Sequence, residues 1–172
     1  LFGDYNPGGR LAVTFPKSVG QIPFAFPFKP GSDESSETSV YGALYPFGHG
    51  LSYTTFQYSD LAISPSKQGV QGNISISCTI KNIGQREGDE VVQLYLRDEV
   101  SSVTTYTQVL RGFERITLKP EASHTVHFEL TPQELGIWDK QMNFTVEPGM
   151  FKVMIGSSSK DIRLKGEFEI AQ

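Results

Sequence analysis

The segment from Tyr45 to Thr54, with the sequence Y-P-F-G-H-G-L-S-Y-T, constrains the fold of this chain more than any other. It places three aromatic residues, one proline and two glycines in ten positions, which suits neither a regular helix nor a two-faced strand. Gly48 and Gly50 permit a positive φ or the close approach of another backbone. Because the aromatic rings still need burial, the pattern predicts a packed turn that docks on a larger body, at a hinge between two domains.

Residues 1–55 are rich in loop signals and have no continuous period with which to close a core. Prolines interrupt the segment, and Phe24, Phe26 and Phe28 lie between them. Lys29 to Ser39 is polar and predicts an exposed loop. We therefore expect residues 1–55 to be the C-terminal edge of a larger domain whose body lies elsewhere. Phe24 and Phe26 would pack against that body, and without it residues 1–53 would exchange their amide hydrogens readily.

Residues 56–172 alternate between apolar and polar side chains, which predicts half-buried strands. The clearest case is Asn73–Ile80, where Cys78 is in the apolar phase and Ser77 faces the other way. Other segments have the same period: Gln57–Ser64, Val92–Arg97, Gln108–Leu118, Val126–Leu130, Phe151–Ile155 and Ile162–Ile170. About seven strands in about 110 residues predict a mainly β fold, an immunoglobulin- or fibronectin III-like sandwich.

Cys78 is the only cysteine, so the chain can form neither an internal disulfide nor a cysteine-based metal site. Its place in the apolar phase predicts a buried, unreactive side chain. Without the disulfide of antibody domains, the sandwich fits the fibronectin III type better. A short helical turn is predicted at Thr131–Leu135, and Trp138 just after it is expected to cap the core.

No pattern in the sequence points to a catalytic residue, a metal site or a cofactor. The neighbouring carboxylates are Asp33/Glu34, Asp89/Glu90 and Asp98/Glu99, and adjacent strand residues point to opposite faces, so we expect them to be solvated. The histidines, His49, His124 and His127, lack metal-binding spacing. We expect His49 to be a structural hydrogen-bonding residue. The serines at 157–159 have no neighbouring base to activate them.

Two aromatic residues on the predicted sandwich are candidates for stacking on a sugar ring. Tyr95 falls on the expected solvent face of its strand, and Tyr106 lies in Asp98–Gln108, a long connection for a hairpin. Packing against another domain is the second interpretation of Tyr106. The net charge of −4, with scattered Lys and Arg, argues against nucleic acid as a partner. No apolar run approaches the roughly 20 residues of a membrane span.

Longer motifs resemble one family. Gly3–Pro16 and Tyr45–Phe56 resemble the end of the second catalytic domain of glycoside hydrolase family 3. Three further segments resemble that family's C-terminal fibronectin type III-like domain: Asn82–Leu96, Leu110–Pro120 and Val146–Ser159. One departure is Thr105-Tyr106-Thr107, where many members carry Arg-Pro. The resemblance divides the chain into the edge of an α/β domain at residues 1–55 and a fibronectin type III-like domain at residues 56–172.

The resemblance implies a retaining exo-β-glycosidase, with β-glucosidase ahead of β-xylosidase. Its two catalytic carboxyl groups would lie upstream of the segment that this chain represents, so the chain by itself would lack them. Its partners would be the upstream catalytic domains and, through the whole enzyme, an oligosaccharide. The resemblance also implies a periplasmic or secreted enzyme. A free-standing carbohydrate- or protein-binding module is the second hypothesis. The domain edge at residues 1–55 argues against it, because such a module would not need part of another domain.

Overall fold

A computed structural model describes residues 3–31 and 42–171 of the chain. The predicted loop from Lys29 to Ser39 lies outside the described residues beyond Gly31, as do Asp33 and Glu34. Before the sandwich, β1 (Phe15–Pro16) pairs antiparallel with β2 (Ala43–Tyr45), and a single 3-10 turn spans Val19–Gln21.

Within the described residues, two packed sheets form the sandwich, and all seven predicted strand segments are present. Their strands are β3 (Phe56–Ser64), β4 (Lys67–Gly69), β5 (Ile74–Asn82), β6 (Gly88–Asp98), β7 (Val109–Leu118), β8 (Ser123–Leu130), β11 (Gly149–Gly156) and β12 (Ile162–Ala171). One sheet has the order β3-β5-β8, and the other has the order β4-β12-β11-β6-β7. The pairing is antiparallel except between β4 and β12. The predicted mainly β fold class is confirmed.

The inward faces of both sheets supply the core. On β5, Ile74, Ile76, Cys78 and Ile80 have no solvent exposure, while Ser77 is partly exposed on the other face. Each fully buried isoleucine contributes about 2 to 3 kcal/mol through removal of apolar surface from water. Burial also raises the pKa of the Cys78 thiol to about 11, so it remains protonated and unreactive at neutral pH. The predicted burial of Cys78 is confirmed.

On the outer face of the five-stranded sheet, the side chains in the middle of β6 are buried. Gln93 and Tyr95, which alternate outward from the core, are 3% and 0% exposed. The loop-rich segment covers them: Phe26 stacks on Phe47 with 4.6 Å between ring centroids and meets the Tyr95 ring edge-on at 5.7 Å. The prediction that Tyr95 is exposed is therefore wrong. Phe26 does pack, as expected, but its ring partners belong to this chain.

The Tyr45–Thr54 turn docks on the sandwich through polar contacts as well. Gly48 has a φ of +81°, and its carbonyl accepts a hydrogen bond of 3.2 Å from Gln93 Nε2. A Cβ on Gly48 would lie 2.1 Å from the Gln93 side chain, so only glycine fits. Nearby, Arg10 Nη2 donates to Glu90 Oε2 at 2.8 Å, and the Tyr58 hydroxyl donates to Glu90 Oε1 at 2.7 Å. The predicted packed turn is present, and the body it docks on is the sandwich.

A four-residue helix α1 (Pro132–Leu135) follows β8 and leads into a hairpin of β9 (Ile137–Trp138) and β10 (Phe144–Thr145). Thr131 and Glu134 form a capping box at the start of α1, with the Thr131 amide donating to Glu134 at 2.8 Å. Leu135 inserts into the core and is 2% exposed, whereas Trp138 is 58% exposed. The prediction that Trp138 caps the core is wrong, because Leu135 takes that place.

Candidate functional site

The long connection at residues 99–108, between β6 and β7, is anchored at both ends. At its start, the Glu99 amide donates to the Met150 carbonyl at 3.1 Å, and the Ser102 amide donates to Glu147 Oε2 at 2.8 Å. At its end, the Thr107 amide donates to the Phe28 carbonyl at 2.8 Å. Because Phe28 belongs to the loop-rich segment, this last bond fixes the residue after Tyr106 to that segment.

Tyr106 is 43% exposed and lines a cleft of about 290 Å³, which we call the Tyr106 cleft. Trp138 also lines it, so two exposed aromatic side chains share one cavity. The buried side chains of Leu96 and Phe151 contribute apolar surface. The lining also contains four charged residues, Lys29, Asp98, Arg111 and Glu134.

Asp98 has the most perturbed carboxyl group in this cleft. Its pKa is raised to about 6, mainly by partial burial and to a smaller extent by like-charge repulsion from Glu147 and Glu99. The Val100 amide, which donates to Asp98 Oδ1 at 3.3 Å, acts in the opposite direction. Glu134 differs, because hydrogen bonds from Thr131 keep its pKa below the usual value. In mildly acidic solution the cleft therefore holds one protonated and one ionised carboxyl group.

The three histidines lie apart from this cleft. The His49 ring stacks on Tyr45 at 5.1 Å, and its backbone amide donates to the Pro46 carbonyl at 3.1 Å. Its own carbonyl accepts from the Leu11 amide at 2.9 Å. These hydrogen bonds involve only the His49 backbone, so the hydrogen-bonding role expected of its side chain stays a prediction. His124 and His127 are exposed on β8, as expected. Across residues 3–31 and 42–171, no three side chains of His, Cys, Asp or Glu are grouped as a metal site would need.

The cleft combines one residue that the sequence indicated with several that it did not. Tyr106 was a candidate, whereas Tyr95 is buried and cannot meet a ligand. Trp138, Asp98 and Arg111 were missed as lining residues, because they come from separate strands that only the folded sandwich brings together. One feature of the sequence could have indicated Trp138 as a lining residue. The tryptophan lies between Gly136 and Asp139, in an apolar segment too short to form a core strand.

The described part of the chain contains no helix that is both long and apolar enough to span a bilayer.

The sandwich and the loop-rich segment packed on its outer face are two distinct parts of the chain, and a family model matches each of them. Residues 1–53 match the model of the glycosyl hydrolase family 3 C-terminal domain, and residues 90–159 match that of the fibronectin type III-like domain. Over these two segments the chain is similar to the C-terminal region of glycoside hydrolase family 3 proteins.

Individual relatives agree with this placement. A periplasmic β-glucosidase of Salmonella typhimurium is 43% identical over 99% of this chain, and a β-xylosidase of Formosa agariphila is 43% identical over 96%. The solved structure of a β-glucosidase from Erythrobacter marinus superimposes with a TM-score of 0.92 over 99% of this chain, at 36% identity. The chain spans only 24%, 23% and 22% of these proteins, respectively.

Proposed function

We propose that this chain is the C-terminal structural module of a retaining exo-β-glycosidase that removes terminal, non-reducing β-linked glucose. The observation that carries the proposal is the 43% identity to a β-glucosidase across 99% of the chain. A β-xylosidase is the second candidate, because a relative with that name is equally identical. The periplasmic relative supports a periplasmic or secreted location for the enzyme.

In this proposal the chemistry belongs to upstream domains, and this chain supports them. Retaining hydrolysis requires a nucleophile and an acid/base about 5–5.5 Å apart, which we assign to the part of the enzyme that precedes this module. Residues 1–55 would complete the second catalytic domain, and residues 56–172 would form the fibronectin type III-like domain. Apolar side chains left exposed on the loop-rich segment support such a partner: Val13, Val19, Ile22, Leu44 and Leu51 are 52–85% exposed.

Tyr106 is our candidate for a contact between this module and the substrate. Its exposed ring would lie at the rim of the active-site pocket and stack on the sugar beyond the cleaved bond. The anchoring of residues 99–108 at both ends supports this role, because a fixed loop loses little entropy when it binds a ligand.

The proposal is tested by comparing the whole enzyme with this chain alone on aryl β-glucoside and aryl β-xyloside. The whole enzyme should release β-configured sugar, faster from the glucoside, and the chain alone should be inactive. Turnover by the isolated chain that a carboxylate substitution abolishes would contradict the proposal. Tyr106→Ala in the whole enzyme should lower kcat/KM for a disaccharide more than for the aryl glucoside, and equal changes would assign Tyr106 a structural role.

A further inference from the structure

Trp138 is held in a fixed position although 58% of its surface is exposed. It pairs with Phe144 across the β9–β10 hairpin, and the two rings meet edge-on with centroids 5.5 Å apart. The Phe144 ring lies so close to Gly136 that a Cβ there would fall 2.3 Å from it. At the tip, Asp139 Oδ1 accepts hydrogen bonds of 2.8 Å from the Gln141 and Asn143 amides. The hairpin therefore presents the indole on a rigid support.

The indole lies between two concave surfaces. On one side it lines the Tyr106 cleft. On the other it lines a groove of about 690 Å³, which we call the Gln71 groove. That groove is also lined by Phe144, Gln71, Gln133 and Thr145. Trp138 lines both surfaces, and each has a further exposed aromatic ring, Tyr106 in the cleft and Phe144 in the groove.

The polar groups of these two surfaces are available to a ligand. Within the described residues, no hydrogen bond involves the side-chain amides of Gln71 and Gln133, and both residues are exposed. Arg111 is likewise exposed and forms no ion pair or hydrogen bond in that part of the chain. A purely apolar protein surface is a poor occupant, because it would leave these donors and acceptors buried without partners.

The charges select among polar ligands. The Gln71 groove has no charged side chain in its described lining. In the Tyr106 cleft, Asp98 and Glu134 balance Lys29 and Arg111. This balance disfavours an acidic glycan or a nucleic acid, which would need an excess of cationic groups. Flat rings flanked by amides and hydroxyls instead suit a neutral sugar, whose ring has apolar faces and a hydroxyl-rich edge.

We propose that Trp138 is the central stacking residue of a binding surface for neutral β-linked oligosaccharides longer than a disaccharide. The chain of sugars would run from the Tyr106 cleft over the indole into the Gln71 groove. This inference rests on the proposed function for the kind of saccharide and adds to it a preference for longer substrates. Gln133, on the far side of Trp138 from Tyr106, would donate to or accept from sugar hydroxyls.

The chain offers a direct test, because Trp138 is its only tryptophan and alone reports in tryptophan fluorescence. Titration of the 172-residue chain with cellotetraose and with xylotetraose should change the Trp138 emission saturably for at least one of them. Tyr106→Ala and Gln133→Ala should each weaken that binding by about 3- to 10-fold. Met142→Ala is the matched control, since Met142 lies on the same hairpin, is 72% exposed and lines neither surface, and it should bind normally. The absence of a saturable change with both sugars would overturn the proposal.

A second measurement shows whether the surface remains open in the whole enzyme. Trp138→Ala there should lower kcat/KM for cellotetraose about 3- to 10-fold more than for an aryl glucoside. Equal effects on the two substrates would mean that other parts of the enzyme cover Trp138, and the proposal would fail. An enzyme that hydrolyses aryl glucosides while its module ignores both tetrasaccharides would refute this surface alone. An inactive enzyme whose module binds them would instead refute the proposed function.

Discussion

Replacement of Arg10 by methionine tests whether a buried ion pair holds the loop-rich segment on the sandwich. Arg10 and Glu90 are joined by a 2.8 Å contact, and their side chains are only 10% and 4% exposed. Methionine retains the apolar stem but removes the guanidinium. Glu90 would then keep one hydrogen-bond partner in the described part of the chain, the Tyr58 hydroxyl at 2.7 Å.

The expected loss follows from this geometry. Removal of one partner from a buried ion pair costs about 3 to 5 kcal/mol, because it leaves an uncompensated charge. The remaining bond from Tyr58 places Arg10→Met near the lower end, at about 3 kcal/mol. Adding Glu90→Gln should recover much of this loss, since glutamine is neutral and still accepts from the Tyr58 hydroxyl. Arg115→Met is the matched control: its partner Asp89 is the neighbouring residue on β6, but the Arg115 side chain is 55% exposed, so the change should be nearly neutral.

Urea unfolding of the chain measures these differences, and amide hydrogen exchange locates them. The Leu11 amide donates to the His49 carbonyl at 2.9 Å, and the Gly48 amide donates to the Leu11 carbonyl at 2.8 Å, so both should be protected in the parent chain and less so in Arg10→Met. The sequence alone favoured rapid exchange throughout residues 1–53. Rapid exchange at both amides of the parent chain, together with equal small effects of Arg10→Met and Arg115→Met, would refute the reasoning.

Two further substitutions test burial and charge within the sandwich. Cys78→Ser should destabilise by about 1 to 3 kcal/mol because it buries a hydroxyl, whereas Ser77→Ala should be near neutral in urea unfolding, and equal losses would refute the register of β5. For Asp98, the folded-state pKa of about 6 exceeds the unfolded value near 3.9, so the folded state binds more protons and the free energy of unfolding falls as pH rises from about 4 to about 6. Two pKa units correspond to about 2.7 kcal/mol, and partial exposure reduces this to about 1 to 2, so Asp98→Asn should be that much more stable than the parent at pH 7 and equal to it below pH 4. Asp89→Asn should behave oppositely, because Thr117 and Arg115 lower the pKa of Asp89, and a pH-independent effect of Asp98→Asn would contradict the assignment.

The inward faces of the strands were predictable because period-2 alternation records one buried and one wet face. Alternation does not identify the exposed face of β6, because that strand is buried on both faces from Val92 to Leu96. Its sequence from Val91 to Leu96, V-V-Q-L-Y-L, is nearly continuously apolar, which is the usual pattern of a doubly covered strand. The polar exception, Gln93, is satisfied by the Gly48 and Ser157 carbonyls at 3.2 and 2.6 Å. The contact between Gln93 and Gly48 could not be predicted from local sequence patterns, because the two residues are 45 positions apart in the chain.

The loop-rich segment was harder to predict because its prolines and glycines remove any period that could separate an inner face from an outer one. In the structure one side of the segment packs on the sandwich and the other side is exposed. Phe26, Phe28 and Phe47 cluster on the sandwich side, while Val19 and Leu44 remain 85% and 52% exposed. Apolar side chains on both sides of a segment are fully buried only when a domain packs against each side. We therefore expect its sandwich side to be ordered in the chain alone, and its outer side to be covered only by the upstream part of the enzyme that we propose.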